Sequence, residues 1–296
     1  DSGQPFGSES NAAKLIASQA ASGAAEQAMQ TMGGMGFAKE MHVERLWRDA
    51  RLFRFAPISE EMQEISRRSG AGDAPPALAA LGLPWTGAGR LGGAEVLLAV
   101  TGDGARRAGR ELGRVLEAVP VRGVIATGVA GGLSPDLVVG DLVCAREVAG
   151  PDDVRTADPA LCALARGAAP GRVVSARKLA LSTASKALLH RRSGGGETVV
   201  VDLESAAYAA AAEAAGVPWL VLRAVSDDAD EELPAFLNDC LDGDGGIDRA
   251  RVVKKSLLSP LSMPRLLIMK SRVEACSGLL AEAIDRIAAG WPEGPA

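Results

Sequence analysis

The stretch Val124-Ile-Ala-Thr-Gly-Val-Ala-Gly-Gly-Leu-Ser-Pro-Asp-Leu-Val-Val-Gly-Asp-Leu-Val143 decides the fold of this chain. A β-rich run at residues 123–126 leads into glycines at 128, 131 and 132, and a second β run follows at 141–145. Glycines at a strand's end let backbone N–H groups approach a ligand closely, because they carry no Cβ. Successive N–H groups in a turn also form a concave site for polar atoms. The stretch therefore predicts either a ligand-binding turn or a tight turn between two core strands.

Predicted strands and helices alternate around this stretch. Apolar runs at residues 95–101, 173–181 and 198–201, and a further run beginning at Trp219, are predicted strands, and residues 105–118 and 206–215 are predicted helices. This order predicts a parallel or mixed sheet with helices on its faces. Residues 84–93 are rich in turn formers and are predicted as a turn region.

Two of the predicted strands end in acidic residues. A carboxylate at the end of a buried strand needs partners, and the two oxygens of Glu204 match two adjacent ribose hydroxyls. The structural alternative is an acid that stabilises a helix N-terminus. On a strand of period two, Arg223 and Asp227 share one face, so Arg223 is expected to hold a carboxylate, with Asp227 among the candidates. The alternative for Asp227 is a solvated acidic loop.

Composition limits the possible functions. A net charge of -5 and a pI near 5.3 argue against a general nucleic-acid binder. Four dispersed cysteines without a CxxC motif predict reduced thiols in a cytoplasmic protein. Only two histidines are present, so we predict neither a metal site nor a Ser-His-Asp triad. No apolar run is long enough for a membrane span, and no signal peptide is visible.

The first part of the chain differs from the rest. Helices are predicted at residues 11–32, 41–53 and 60–67, with one apolar face of the first helix formed by Ala13, Ile16, Ala20, Ala24, Ala28 and Met32. Ser69-Gly-Ala-Gly-Asp-Ala-Pro-Pro76 predicts a linker. We therefore predict a helical segment at 1–68, a linker at 69–90 and a second domain at 91–296. The chain begins with Asp1 and not with Met, which predicts a fragment, a processed product or a fusion.

Residues 30–51 carry a resemblance to one enzyme family. Gln30-Thr-Met-Gly-Gly-Met-Gly36, followed by Val43-Glu-Arg45 and Arg48-Asp-Ala-Arg51, resembles the C-terminal end of acyl-CoA dehydrogenases. In that family the glycine loop contacts flavin across a subunit contact, which implies Gln30, Gly33, Gly34 and Gly36 as the remains of a flavin loop.

The rest of the dehydrogenase apparatus is missing from this chain. Phe55-Ala-Pro-Ile58 stands where many members carry a catalytic Glu. We therefore predict no cofactor. We also expect the segment to expose apolar side chains, because about 65 residues of a larger bundle lack their usual packing partners.

Three motifs together resemble the nucleoside phosphorylase and nucleosidase superfamily over residues 91–290. They are Thr127-Gly-Val-Ala-Gly-Gly-Leu133 with Gly140-Asp141, Val201-Asp-Leu-Glu-Ser-Ala206, and Val221-Leu-Arg-Ala-Val-Ser-Asp227. The resemblance implies an α/β fold, namely a three-layer α/β/α domain, here preceded by a small all-α segment. It implies cleavage of the N-glycosidic bond of a purine nucleoside such as an adenine nucleoside, by phosphate or water. It also implies a homo-oligomer.

The resemblance implies a role for each matching residue. Asp227 gives a proton or a hydrogen bond to purine N7, with Ser226 in support, and a general acid contributes roughly 10²–10⁴-fold in rate. Burial is expected to keep this acid protonated. The other implied residues are Glu204 on the ribose hydroxyls, Leu203 against the sugar, Ala130 and Gly131 along the base pocket, and Arg223 and Gly128 in support.

The tail refines the resemblance, and two departures limit it. Residues 232–234, 242–248, 256–260 and 263–268 are most similar to hopanoid-associated phosphorylases, which implies an adenosylated hopanoid, a lipid-like substrate at a membrane surface. Residues 257–269 would cover its apolar 5′ group or, equally, form a core helix. The superfamily's first strand and its acid are missing, and residues 125–127 contain no Arg for phosphate.

Three functions therefore stay open. The first is a phosphorylase or nucleosidase, the second an inactive protein that binds nucleosides, and the third a fragment of a flavin-dependent dehydrogenase.

Overall fold

The structure is a computed structural model that describes residues 7–52, 60–248, 251–252, 255 and 263–292. The expectations for Phe55-Ala-Pro-Ile58 and for residues 256–262 of the apolar tail lie outside these residues.

Three helices and two short 3₁₀ turns form the first part of the chain. The helices are α1 (Gly7–Met32), α2 (Val43–Leu52) and α3 (Glu60–Ser69), and the turns are Gly33–Phe37 and Lys39–Met41. All three predicted helices are confirmed. The predicted apolar face of α1 is wrong, because Ser22 and Met29 are buried while Ile16 is 62% exposed. Ser22 Oγ donates to the carbonyl of Ala50 on α2 (3.3 Å), so α2 packs on the Ser22 side of α1.

The expected exposure of apolar side chains is present in this first part. The exposed apolar side chains there are Ile16, Met35, Phe37, Met41 and Leu46.

A β-hairpin follows the short helix α4 (Pro76–Ala79). It consists of β1 (Trp85–Leu91) and β2 (Ala94–Val100), which pair antiparallel along their whole length. The predicted turn region at 84–93 is therefore wrong, because only Gly92 and Gly93 form the turn, with φ of 51° and 91°. The expected place of β2 in the main sheet is also wrong, since β2 pairs with β1 alone among the described strands.

The main sheet contains six strands in the order β5-β4-β6-β7-β3-β8. Their bounds are β3 (Val124–Gly132), β4 (Leu142–Ala149), β5 (Val154–Thr156), β6 (Ala169–Ser175), β7 (Val199–Asp202) and β8 (Trp219–Asp227). Parallel and antiparallel pairs both occur, which confirms a mixed sheet. Strand β8 pairs with both β3 and β4, so β4, β6, β7, β3 and β8 close into a ring.

Helices cover both faces of this sheet. They are α5 (Ala105–Ala118), α6 (Pro159–Leu164), α7 (Thr183–Arg192), α8 (Ser205–Ala214) and α9 (Met263–Ala289). On β8, Leu220 and Leu222 join the core cluster that contains residues of α9. Val221 and Val225 join the cluster that contains residues of α8. This alternation along β8 produces the predicted α/β/α layers. Within the described residues, no helix combines the length and apolarity needed to cross a membrane.

Helix α3 packs on the α/β part of the chain. Ile65 is 2% exposed and belongs to the same core cluster as Leu280, Ile284 and Ile287 of α9. Gln63 and Ser66 are fully buried beside it. Close packing therefore crosses the boundary placed near residue 70, and the division into domains stays a prediction.

A cavity of about 770 Å³ lies between β2 and β3. Leu112, Val115 and Leu116 of α5 line part of it, and Thr101, Thr127 and Tyr208 add polar atoms. The Thr101 and Tyr208 hydroxyls are 2.6 Å apart. Residues 124–130 of β3 pair with β8 on one side, and within the described part of the chain no strand pairs with their other side. The hairpin and the main sheet therefore meet through side chains and not through a backbone ladder.

Candidate active site

The three sequence motifs meet where β3, β7 and β8 end. Gly131 on β3 is the register partner of Val201 on β7 and of Asp227 on β8. Glu204 lies just beyond the end of β7 and leads into α8. Gly131 therefore lies between the end of β7, which leads to Glu204, and the end of β8, which carries Asp227.

The glycines of the opening stretch lie in strand β3 and not in a turn. The predicted turn at Gly128, Gly131 and Gly132 is therefore wrong. The glycines are needed for close contacts with β8. A Cβ on Gly128 would lie 2.5 Å from Arg223 Nη1, and one on Gly131 would lie 3.0 Å from Asp227 Oδ2. The register shifts between Ala130 and Gly131, which marks a bulge beside Asp227.

Asp227 is buried and has two polar side-chain partners. Its Oδ1 accepts a hydrogen bond from Ser226 Oγ (2.7 Å), and its Oδ2 lies 2.6 Å from Lys186 Nζ. The expected contact between Ser226 and Asp227 is therefore present. The sequence predicted an acid that burial alone keeps protonated. The structure adds a second feature, because it places the Lys186 ammonium against this acid.

Lys186 is a site residue that the sequence motifs did not reveal. It begins the basic stretch 186–192 and yet is fully buried on α7, where Nζ also donates to the carbonyl of Asp228. The capping box of Ser182 and Ser185 fixes the start of α7 and so aims the first turn at the sheet. One signal was available in the sequence. Three apolar residues separate Lys186 from the cluster His190–Arg192 at the end of the helix.

Glu204 is half-buried and accepts a hydrogen bond from the Gly104 N–H (3.0 Å). Burial raises the pKa of the Glu204 carboxyl, and the nearby charge of Asp202 raises it further. The Gly104 N–H and Arg223 act in the opposite direction but do not cancel this increase. Glu204 therefore differs from Asp227, because no cation pairs with it directly among the described residues.

Arg223 holds a carboxylate as predicted, but that carboxylate is Asp202 and not the candidate Asp227. The distance between Arg223 Nη2 and Asp202 Oδ2 is 2.7 Å, and both side chains are buried. Ser175 Oγ donates to Asp202 Oδ1 (2.7 Å), and Ser205 Oγ accepts from Arg223. This network fixes the ends of β6, β7 and β8 relative to one another.

The remaining predicted residues lie along the same strand ends. Ala130 is 4% exposed on β3, and its carbonyl accepts from Ser226 Oγ (3.2 Å). Leu203 is 9% exposed and separates Asp202 from Glu204. Both are therefore placed beside the predicted site, and their contacts with a substrate stay predictions.

The glycine loop of the first segment lies largely on the surface. Gln30, Gly33 and Gly34 are exposed. Gly36 is buried, and a Cβ there would lie 2.8 Å from the Met29 carbonyl oxygen. Its lack of a side chain therefore serves packing within the chain, and we derive no step through a flavin.

Comparisons with protein families match both parts of the chain. The phosphorylase superfamily model matches residues 86–242, and the acyl-CoA dehydrogenase C-terminal domain model matches residues 1–66. Curated acyl-CoA dehydrogenases match the first part of the chain. The bovine mitochondrial short-chain specific acyl-CoA dehydrogenase is 49% identical over 65 residues, which are 22% of this chain and 16% of that protein. This chain thus spans about a sixth of the length of the curated relatives it matches.

Solved structures share the fold of the larger part. The 5′-methylthioadenosine/S-adenosylhomocysteine nucleosidase of Neisseria meningitidis, in complex with methylthio-immucillin-A, has a TM-score of 0.58 at 21% identity. The alignment covers 78% of this chain and 95% of that one. The futalosine hydrolase of Helicobacter pylori has a TM-score of 0.54 at 18% identity, covering 77% and 92%. At these identities the comparison shows the fold alone.

Proposed function

This chain belongs to the phosphorylase superfamily, whose model spans more than half of its length, and we propose that it cleaves the N-glycosidic bond of a purine nucleoside. We place the reaction in residues 91–296 and propose a cytoplasmic enzyme that acts as a homo-oligomer without a cofactor. The observation that carries the proposal is the pair of buried or half-buried carboxylates, Glu204 and Asp227, at strand ends joined through Gly131.

The two carboxylates suit different parts of a nucleoside. Glu204 has no cation against it among the described residues, so its oxygens are available to accept from two adjacent ribose hydroxyls. Such hydrogen bonds favour the carboxylate, which offsets the burial that raises the pKa of Glu204. Binding of the sugar is therefore coupled to the charge of this residue.

Asp227 suits the base. A purine leaves poorly as an anion, and a proton on N7 makes it a neutral leaving group while the ribose becomes oxocarbenium-like. Asp227 donates that proton or hydrogen bond, Ser226 holds its other oxygen, and Ala130 and Gly131 border the base. Leu203 packs on the sugar, and Arg223 and Gly128 keep β3 and β8 in contact.

The substrate's 5′ group is the finer part of the proposal. Adenosine derivatives with 5′-thioether or apolar lipid-like groups are the candidates, the latter because residues 256–260 and 263–268 resemble hopanoid-associated phosphorylases. The nucleophile is water or inorganic phosphate.

The test is adenine release from a panel of adenosine, 5′-methylthioadenosine and apolar 5′-substituted adenosines, with and without phosphate, followed by chromatography. Release that requires phosphate assigns a phosphorylase, and release without phosphate assigns a nucleosidase. Cleavage of only the small nucleosides refutes the lipid-like substrate. No release by protein shown to be folded refutes the enzymatic proposal and favours a nucleoside-binding protein.

A further inference from the structure

Lys186 is a fully buried cation whose placement stability alone explains poorly. Its Nζ lies 2.6 Å from Asp227 Oδ2 and donates to the Asp228 carbonyl, and its side chain is 0% exposed. Removing an ammonium and a carboxylate from water costs several kcal/mol per ion, and a well-packed apolar pair is often equally stable or more so. The Lys186–Asp227 pair also lies among the site motifs, because Asp227 is the register partner of Gly131.

The geometry determines where a proton for the base comes from. One oxygen of Asp227 accepts from Ser226 and the other lies 2.6 Å from Lys186 Nζ, so a hydrogen-bond donor faces each oxygen of the carboxyl group. Its two polar side-chain neighbours are thus a hydroxyl and an ammonium. The ammonium is by far the stronger acid, because a serine hydroxyl does not ionise in the range where lysine does.

We propose that Lys186 is the positioning residue that supplies, through Asp227, the proton given to N7 of the departing purine. This inference rests on the proposed function. It goes beyond that function because it assigns the acid to a lysine–aspartate pair and not to Asp227 alone.

Atoms and electrons balance in this step. The C1′–N9 bond breaks and its electron pair passes into the purine, while N7 takes a proton from Asp227 and Asp227 takes one from Lys186 Nζ. The products on this side are a neutral purine, the Asp227 carboxylate and a neutral lysine amine. Water or hydrogen phosphate bonds to C1′ and loses a proton, which restores the ammonium.

The experiment compares substrates that differ in their need for an acid. Adenosine requires protonation of its leaving group, whereas a nitrophenyl riboside releases a stable anion and requires none. We expect Lys186→Gln to lower kcat/KM for adenosine about 10²-fold or more and to leave the nitrophenyl riboside nearly unchanged. Lys186→Arg keeps the charge, but a guanidinium releases no proton in proteins, so this variant should lose adenosine activity as Lys186→Gln does. Lys178→Gln removes an exposed lysine and is the matched control.

A double variant keeps the test valid if Lys186→Gln folds poorly. Asp227→Asn/Lys186→Gln leaves no unpaired charge buried at the site, so it should fold. If Lys186 acts through Asp227, adding Lys186→Gln to Asp227→Asn causes little further loss of adenosine cleavage. A full additional loss overturns the inference, and so does an equal loss on both substrates in Lys186→Gln.

A binding measurement separates this inference from the proposed function. Calorimetry with adenine and with 7-deazaadenine, which has carbon in place of N7, measures the contribution of N7 without turnover. We expect the wild-type protein to prefer adenine and Lys186→Gln to lose about 10-fold of that preference. A working wild-type enzyme whose Lys186 variants behave like it overturns only the role of Lys186. A wild-type protein that neither binds nor releases adenine overturns both proposals.

Discussion

Arg223 and Asp202 form an ion pair of 2.7 Å between Nη2 and Oδ2, with side chains that are 4% and 3% exposed. The pair joins β7 to β8 directly below the strand ends that carry Glu204 and Asp227. Ser175 and Ser205 complete its hydrogen bonds.

Breaking this pair on one side should unfold the protein more easily. We expect Arg223→Met to lower the free energy of unfolding by about 3–5 kcal/mol, because it leaves the Asp202 charge buried and unpaired. The double variant Arg223→Met/Asp202→Leu should recover much of that loss. Urea unfolding of the single and double variants measures both values. Equal stability of the wild-type protein and Arg223→Met would contradict the buried pair.

Asp227→Asn should remove most of the turnover while binding survives. The amide keeps the shape of the side chain but cannot pass a proton to N7, so kcat should fall roughly 10²–10⁴-fold. Steady-state kinetics and adenine binding by calorimetry test this pair of expectations. Asp230→Asn, an exposed position in the following loop, is the control with the same chemical change. Unchanged turnover in Asp227→Asn excludes the role assigned to Asp227.

Glu204→Gln should lose activity and gain stability at high pH. Burial raises the pKa of Glu204 in the folded chain, so the Glu204 carboxyl contributes fully to folding stability at acidic pH. This contribution is lost as pH rises through the pKa of Glu204 in the folded state. The stability of Glu204→Gln relative to wild type should therefore increase from mildly acidic to mildly alkaline conditions. Urea unfolding at both pH values measures the difference. The exposed Glu197→Gln serves as control, and a constant difference across pH contradicts the expectation.

The same shift predicts the pH dependence of substrate capture. Ribose hydroxyls donate to the ionised form of Glu204, so kcat/KM should fall as pH decreases through the raised pKa of Glu204. In Glu204→Gln, whatever activity remains should lack this acidic limb. Profiles of kcat/KM against pH for the wild-type protein and for Glu204→Gln test this expectation. If the variant shows the same fall at acidic pH, that fall belongs to another group.

Gly131→Ala should disturb the site more than the fold. The added Cβ would lie 3.0 Å from Asp227 Oδ2 and 3.3 Å from Val201 Cγ1, so the carboxylate must shift by a few tenths of an ångström. We expect about a 10-fold loss of turnover from this misplacement. Gly113→Ala on α5, where a Cβ meets nothing within 4 Å, should keep full turnover and stabilise the helix by about 1 kcal/mol. If both variants behave alike, contact with Asp227 is not what requires glycine at 131.

Local sequence signals predicted much of the fold. Helix α5 follows from periodicity, because its apolar residues recur at the spacing of one helix face. The alanine-rich run predicts α8, and the continuous apolar run predicts β8. The glycines of β3 do not form the turn that the local pattern predicts. They are required because Arg223 and Asp227 approach closely from a strand almost 100 residues further along the chain. Local pattern carries no information on such contacts.

The local sequence pattern also could not predict which charged residues pair with each other in the site. Arg223 and Asp227 share a strand face by period, yet Arg223 pairs with Asp202 from β7 and Asp227 pairs with Lys186 from α7. The position of each acid at a strand end was visible in the sequence. The cation that each one meets depends on strand order, which only the folded chain fixes.

The closure of β4, β6, β7, β3 and β8 into a ring determines when the geometry of the site is established. Neither β3 nor β8 can slide by one residue without breaking a ladder on its other side, because β3 also pairs with β7, and β8 with β4. The spacing between the Glu204 and Asp227 strand ends is thus set during folding, and substrate arrives at dipoles already oriented. Water molecules would have to reorient their dipoles at each turnover, whereas the dipoles of the protein are oriented once, when the chain folds.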